Sequence, residues 1–133
     1  MTTPADAKLD ALLNAARQAC ERAYAPYSGF AVGAAVEAED GEVFVGCNVE
    51  NASFGATLCA ERVAIANLVS SGRRRLVALA VYALADEPAM PCGICRQTLA
   101  EFGQKVRIMV AGSGEARETT LEELLPQPFV FRR

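Results

Sequence analysis

The apolar run from Leu76 to Ala85 places the strongest constraint on the fold of this chain. A near-continuous apolar segment of strand length, bounded by polar residues, is typical of a central strand that is buried on both faces. A sheet built around such a strand needs helices on both of its faces. The same run is too short to cross a bilayer as a helix, so we expect no membrane partner.

Patterns elsewhere in the chain predict the elements that complete this sheet. Apolar residues at helical spacing predict helices over Ala5 to Tyr24, Cys59 to Val69 and Gly93 to Phe102, and Thr119 or Thr120 can cap a short helix that runs to Leu125. Further strands are expected over Phe30 to Glu37, Glu42 to Val49 and Lys105 to Ala111. Strands followed by crossover helices predict an α/β fold, a three-layer α/β/α sandwich around a mixed sheet, as a single domain over residues 1–133.

Composition and charge exclude several classes of function. The net charge of −3, with acidic and basic residues interspersed, argues against a nucleic-acid partner, which would need a basic face. The five cysteines follow no cationic apolar leader, so we expect a cytoplasmic protein with reduced thiols. The chain has no histidine, which excludes Ser-His-Asp and Cys-His mechanisms and leaves Cys, Asp and Glu as metal ligands.

Three cysteines have the pattern of a catalytic zinc site. Cys92 and Cys95 are three positions apart, a spacing that lets two thiolates bind one ion, and Cys59 offers a third sulfur. Three protein ligands leave the fourth tetrahedral position open for water. Glu61 is the carboxylate best placed to accept a proton from that water, and Arg62 can draw charge from the sulfurs.

The residues around these cysteines resemble those of the zinc-dependent cytidine deaminases, the small homotetrameric class. The resemblance rests on Cys59-Ala60-Glu61-Arg62 and on Pro91 to Gln97, and it continues through residues 24–28, 30–34, 46–51 and 122–126. It implies a cytidine deaminase-like fold with a mixed five-stranded sheet, and one Zn²⁺ per chain on Cys59, Cys92 and Cys95. It also implies that Glu61 shuttles protons while hydroxide attacks C4 of cytosine and ammonia leaves. The expected function is deamination of cytidine and deoxycytidine in pyrimidine salvage.

The resemblance also implies how a nucleoside is held. The backbone of Ala60 would hold the base, Phe30 would pack against the nucleoside, and Asn48 and Glu50 would hydrogen-bond the ribose. The carboxylate of Glu50 near the ribose would repel a 5′-phosphate and favour nucleosides over nucleotides. Asn48 and Glu50 could instead be turn residues, and Phe30 could be a core residue.

A homotetramer with shared active sites is the expected assembly on the same grounds. Phe129 of a neighbouring subunit would stack on the base, although it too could be a core residue, and the loop from Ala52 to Gly55 would close the pocket. Arg62 and Gln97 would hydrogen-bond to the ligand sulfurs. The chain departs from the family pattern at Phe54, where the family often has Tyr, and in its short tail after Phe129.

Three other functions remain open from the sequence. A deaminase of another aminopyrimidine nucleoside, such as blasticidin S, would share the three-cysteine plan. A non-catalytic zinc domain would use Cys47 as the fourth ligand and would have no exchangeable water. A redox pair of Cys92 and Cys95 would bind no metal.

Overall fold

The computed structural model describes residues 4–132, which form four α-helices and five strands. In chain order these are α1 (Pro4–Cys20), β1 (Val32–Ala38), β2 (Val43–Cys47), α2 (Ala60–Ser70), β3 (Leu76–Ala83), α3 (Gly93–Phe102), β4 (Arg107–Ala111), β5 (Ala116–Thr120) and α4 (Leu121–Leu124), with a 3₁₀ turn at Phe54–Ala56. Among the described residues, no helix is long and apolar enough to span a membrane.

The strands form one mixed sheet in the order β2-β1-β3-β4-β5. The apolar run forms β3 at its centre, where it pairs antiparallel with β1 and parallel with β4. β2 and β5 are the edge strands and pair antiparallel with β1 and β4. The predicted central strand and the mixed five-stranded sheet are therefore confirmed.

Helices cover both faces of the sheet, so the predicted three layers are confirmed. Alternate residues of a strand point to opposite faces, and here Ala35 and Ala80 pack with Leu12 of α1. Their neighbours Val36 and Leu79 belong to a larger cluster on the opposite face. That cluster contains the buried side chains of α2, α3 and α4, which are Ala60, Ala64, Ile65, Leu68, Leu99 and Leu121.

The sheet topology brings the beginnings of α2 and α3 to the same end of the sheet. Because β2 and β3 are each antiparallel to β1, they run in the same direction. α2 follows β2 in the chain and α3 follows β3, so both helices start beyond the carboxyl ends of these strands. Such an end of an α/β sheet is where ligand sites form most often.

α2 packs directly on the backbone of β2 because residue 46 is glycine. A Cβ atom at Gly46 would lie 2.5 Å from Ala64 N, 2.7 Å from Ala60 O and 2.8 Å from Val63 Cβ. No larger residue fits at these distances without a shift of the helix. Gly46 therefore sets the depth at which the start of α2 lies above the sheet.

Several element boundaries differ from the sequence prediction by one to four residues, and one strand was not located. α1 ends at Cys20 rather than Tyr24, because Tyr24 N donates to Asn48 O at 2.9 Å and pairs this segment with the chain after β2. β1 begins at Val32 rather than Phe30. β5 was not located by the pattern of the sequence, because it is a polar edge strand in which Arg117 and Glu118 are exposed.

Candidate metal centre

The sulfur atoms of Cys59, Cys92 and Cys95 meet where α2 and α3 begin. Cys59 is the N-cap of α2, Cys92 is the N-cap of α3, and Cys95 lies in the first turn of α3. The three sulfurs lie within 4.8 Å of one another, and the Sγ atoms of Cys59 and Cys92 are 3.9 Å apart. Tetrahedral zinc with Zn–S distances of about 2.3 Å needs sulfurs roughly 3.8 Å apart. The donor set therefore fits zinc in both chemistry and spacing.

The helix starts leave these sulfurs available. Neither the Cys59 nor the Cys92 side chain makes a capping hydrogen bond, and both residues have extended backbone conformations. The free N–H groups and the partial positive charge at each helix start favour the thiolate form that a metal requires.

Hydrogen bonds within the cluster shift the pKa values of Cys59 and Cys95 in opposite directions. A hydrogen bond from Cys95, together with one from Arg62, lowers the pKa of Cys59 to about 5. The same hydrogen bond to Cys59, with burial, raises the pKa of Cys95. Arg62 Nη2 lies 3.9 Å from Cys59 Sγ and donates to Thr57 O at 3.0 Å. The neighbouring Arg62 guanidinium and the thiol of Cys95 therefore both favour the thiolate form of Cys59, the form that binds a metal.

Glu61 lies beside the sulfurs and is almost fully buried. Only 6% of its surface is exposed, and burial raises its pKa to about 7. A carboxyl group with this pKa can both accept and donate a proton near neutral pH.

A cavity of about 210 Å³ opens on this centre and collects most of the residues expected to hold a nucleoside. Phe30, Asn48 and Ala60 line it together with Glu61 and two of the cysteines, Cys59 and Cys92. The remaining lining residues are Val32, Thr57, Leu58, Val81, Ala89 and Met90. The cavity has an apolar wall, a buried carboxyl group and a metal-binding edge, which suits a flat polar ring.

The buried side chain of Asn48 holds the segment that carries Phe30 through two hydrogen bonds to its backbone. Its Oδ1 accepts from Val32 N at 2.9 Å and its Nδ2 donates to Phe30 O at 2.8 Å. These bonds occupy backbone groups that a longer β1 would have used, which explains the late start of that strand. Sequence reasoning missed this role because it depends on a contact across sixteen positions.

Glu50 lines a second cavity, of about 350 Å³, with Tyr27, Ser28, Phe54 and Thr57. Its carboxylate accepts hydrogen bonds from Ser28 Oγ and from the backbone N–H groups of Ser28 and Tyr27. The hydroxyl of Ser28 is the main cause of a pKa for Glu50 below its usual value. Tyr27 and Ser28 were not among the predicted site residues, although the Pro-Tyr-Ser-Gly turn was visible in the sequence.

Gln97 and Phe129 lie together, because the Gln97 side chain hydrogen-bonds to the backbone of Phe129. Gln97 was expected to hydrogen-bond to a ligand sulfur, but its Nε2 donates to Phe129 O at 3.0 Å and its Oε1 accepts from Phe129 N at 3.3 Å. Both polar ends of the amide are therefore used by the tail. The Phe129 ring is 72% exposed, so it is not a core residue of this chain.

Cys47 lies outside the cluster. Among the described residues, the only group of three or more possible ligands that could hold a metal ion is Cys59, Cys92 and Cys95. A closed four-cysteine site with Cys47 as the fourth ligand is therefore not what this geometry offers.

The sequence and the fold resemble known proteins over most of the chain. Residues 6–111 match the family described as the cytidine and deoxycytidylate deaminase zinc-binding region. A cytidine deaminase of Sporosarcina psychrophila is 46% identical over 123 residues, which cover 91% of this chain and 90% of that protein. A blasticidin-S deaminase of Bacillus cereus is 29% identical over 103 residues, covering 71% of this chain and 74% of that protein.

Solved structures give the same result. The crystal structure of a cytidine deaminase from Burkholderia pseudomallei superposes with a TM-score of 0.86 at 45% identity, covering 90% of this chain and 98% of that one. The cytidine deaminase from Mycobacterium tuberculosis gives a TM-score of 0.80 at 46% identity, covering 92% and 97% of the two chains.

Proposed function

Because this chain belongs to the cytidine and deoxycytidylate deaminase zinc-binding family, we propose that it hydrolyses cytidine to uridine and ammonia at the three-cysteine centre. The observation that carries this proposal is the buried Glu61 carboxyl group, which shares one cavity with Cys59 and Cys92. Cys59, Cys92 and Cys95 would hold the zinc ion. When bound, zinc supplies Lewis acidity that can lower the pKa of water from roughly 15.7 toward 7.

Glu61 is the proton carrier of the proposed reaction. It accepts one proton from the attacking water and transfers it to N3 of cytosine. It then takes the remaining proton from the hydroxyl group formed at C4 and delivers it to the departing amino group. The oxygen of water becomes the carbonyl oxygen at C4, and the amino nitrogen leaves as ammonia. A pKa of about 7 lets one carboxyl group perform each of these transfers.

The cavity wall would orient the base. Ala60 is the first residue of α2, so its backbone N–H has no partner within the helix and can donate to the base. Phe30, whose backbone is fixed by Asn48, would pack against the nucleoside.

Asn48 and Glu50 would bind the sugar. One hydrogen of the Asn48 amide remains for a ribose hydroxyl after the bond to Phe30 O. Glu50 carries a negative charge that would disfavour a 5′-phosphate. These roles favour nucleosides, deoxycytidine included, and suit pyrimidine salvage.

A homotetramer with shared active sites is part of the proposal. Large apolar side chains are exposed beside the second cavity, in the first turn of α3 and along the tail, namely Tyr27, Phe54, Ile94, Phe129 and Phe131. Exposed apolar patches of this kind mark contact surfaces. Phe129 would stack on the base in a neighbouring copy. We place the enzyme in the cytoplasm, because thiolate ligands require a reducing compartment.

The reaction is tested by loss of cytosine absorbance in the ultraviolet, with cytidine, deoxycytidine, CMP and blasticidin S as substrates. Each is run before and after zinc removal by a chelator. Metal-dependent turnover of the two nucleosides with little turnover of CMP supports the proposal. Turnover of blasticidin S alone would show that the substrate is blasticidin S and not cytidine. A zinc-loaded protein that turns over none of the four compounds would contradict the proposed function. Native mass measured by sedimentation, against 14.1 kDa for one chain, tests the tetramer.

A further inference from the structure

The C-terminal tail after α4 is held to the rest of the chain by very few contacts. Residues 126–132 are all exposed, so apolar burial within this chain does little to fix them. Within the described part of the chain, the hydrogen bonds that join this tail to other segments are the two between Gln97 and the backbone of Phe129. The position of the tail therefore depends on one side chain of α3.

Gln97 binds the tail in the manner of a strand partner. Its amide uses one N–H as a donor and its oxygen as an acceptor, and these meet the carbonyl and the N–H of the same residue, Phe129. This pairing fixes the orientation of the Phe129 peptide as well as its distance from the helix. A backbone held in this way limits the positions that the attached ring can reach.

Arg96 fixes the chain a few residues earlier. Its Nη1 donates to Leu124 O at 3.0 Å, and its Nε donates to Pro91 O at 2.7 Å. Two consecutive residues of α3 thus hold both ends of the segment between α4 and Phe129. Both follow directly on Cys95, so the tail is attached to the part of the helix that carries the metal ligands.

We propose that Gln97 is a positioning residue that holds the tail on α3 and so places the Phe129 ring for the substrate. The inference rests on the proposed function for the role of Phe129, but the attachment itself does not. In this role Gln97 acts through Phe129, to which it makes both of its hydrogen bonds in the described structure. Its replacement should weaken substrate binding without removing zinc.

The attachment is tested first without any substrate. Chymotrypsin cleaves after Phe129, and the hydrogen bonds to Gln97 must open before that bond is accessible. Gln97→Glu keeps the acceptor for Phe129 N but loses the donor to Phe129 O. Loss of one hydrogen bond should speed cleavage by about two- to tenfold. Gln104→Glu is the matched control, because Gln104 is exposed just after α3, and it should leave the rate unchanged.

A spectroscopic reporter gives an independent measure of the same attachment. The chain has no tryptophan, so Phe129→Trp introduces a single tryptophan, which can be excited selectively over the three tyrosines. Adding Gln97→Glu should lower its fluorescence anisotropy, whereas adding Gln104→Glu should not. Equal anisotropy and equal cleavage in all three proteins would overturn the attachment.

A double-mutant cycle on the kinetics then tests the placement of the ring. Gln97→Glu should raise KM for cytidine by about two- to tenfold with little change in kcat, because substrate binding and not proton transfer is affected. In a Phe129→Ala background the same change should add nothing. Additive effects, or a loss of zinc in Gln97→Glu, would overturn the proposal. Gln97→Ala repeats both arms if the glutamate variant does not fold.

Different results would contradict the proposed function and the attachment of the tail by Gln97. A wild-type protein with no cytidine turnover would contradict the proposed function, while the cleavage and anisotropy arms would still decide whether Gln97 holds the tail. An active wild-type enzyme whose tail ignores Gln97 would contradict this inference alone.

Discussion

The sulfur atoms of Cys59 and Cys92 lie 3.9 Å apart although 33 positions separate the two residues in the chain. Each is the N-cap of its helix, and the sheet topology starts both helices at the same end. The metal centre is therefore a junction between two helices rather than a feature of one loop.

Loss of one ligand should remove the metal, while loss of a cysteine outside the cluster should not. Cys95→Ser replaces a fully buried ligand and should weaken zinc binding by more than the roughly 10–100-fold that follows loss of an outer hydrogen-bond partner. Cys47→Ser is the matched control and should keep one zinc ion per chain. Metal content after dialysis against a weak chelator measures both. Loss of zinc from Cys47→Ser would favour a closed four-cysteine site instead.

Glu61→Gln should keep zinc and lose activity. The amide has the shape of the carboxyl group but cannot carry the proton, so we expect kcat to fall by about 10²–10⁴-fold. Glu101→Gln, on the exposed surface of α3, serves as the control for the same chemical change. Nucleoside turnover and zinc content are measured on all three proteins. A Glu61→Gln enzyme with wild-type turnover would remove Glu61 from the mechanism.

A methyl group at residue 46 should destabilise the protein, because it would push against the start of α2. In Gly46→Ala the new Cβ meets backbone atoms of Ala64 and Ala60, which cannot move aside without moving α2. Overpacking of this kind costs about 1–3 kcal/mol of unfolding free energy. Gly114→Ala, whose Cβ would meet only Asp86 O at 3.4 Å, should be close to neutral. Chemical unfolding of the two variants makes the comparison, and equal stability would show that α2 is not held at this distance.

The Ser28 hydroxyl should stabilise the protein in a pH-dependent way through Glu50. Its hydrogen bond is the largest cause of the lowered pKa of Glu50. A carboxyl group whose pKa is lowered by folding stabilises the fold above its ordinary pKa, and this contribution is lost as the pH falls through the lowered value. The difference in melting temperature between the wild type and Ser28→Ala should thus be present at neutral pH and shrink on acidification.

Melting curves from about pH 7 down to pH 3 span the range in which glutamates usually titrate. Ser70→Ala is the control, since that hydroxyl donates to Asn67 O and not to a carboxylate. A difference between the wild type and Ser28→Ala that stays constant over the whole range would show that Ser28 does not act through Glu50.

The central strand and the metal ligands were predictable because local patterns encode them. An apolar run fixes β3 without reference to the rest of the chain, and the spacing of Cys92 and Cys95 fixes their shared ion. The partner of Gln97 was not predictable, because it depends on where the tail runs after α4. The two hydrogen bonds made by the Asn48 side chain were missed for the same reason, since they join segments that are distant in the sequence.

β5 could not be predicted from the sequence for a different reason. Its residues Arg117 and Glu118 are exposed, and Glu118 pairs with Arg107 of the neighbouring strand. A strand at the edge of a sheet often carries charge, which removes the alternation of apolar residues that reveals strands in sequence. Only the resemblance to five-stranded proteins anticipated it. The nearby cap of α4 was recognisable, and Thr120 accepts from Glu123 N as predicted.

Helix stability does not explain the two N-cap cysteines, whereas metal binding does. Serine, aspartate or asparagine at these positions would cap the helix and add about 1 kcal/mol of stability each, whereas neither cysteine does so. Selection for the stability of the metal-free chain alone would have replaced both. A directed-evolution screen for heat resistance of the metal-free chain, carried out with a chelator present, is therefore expected to return substitutions at Cys59 and Cys92, and each such variant would no longer bind its metal.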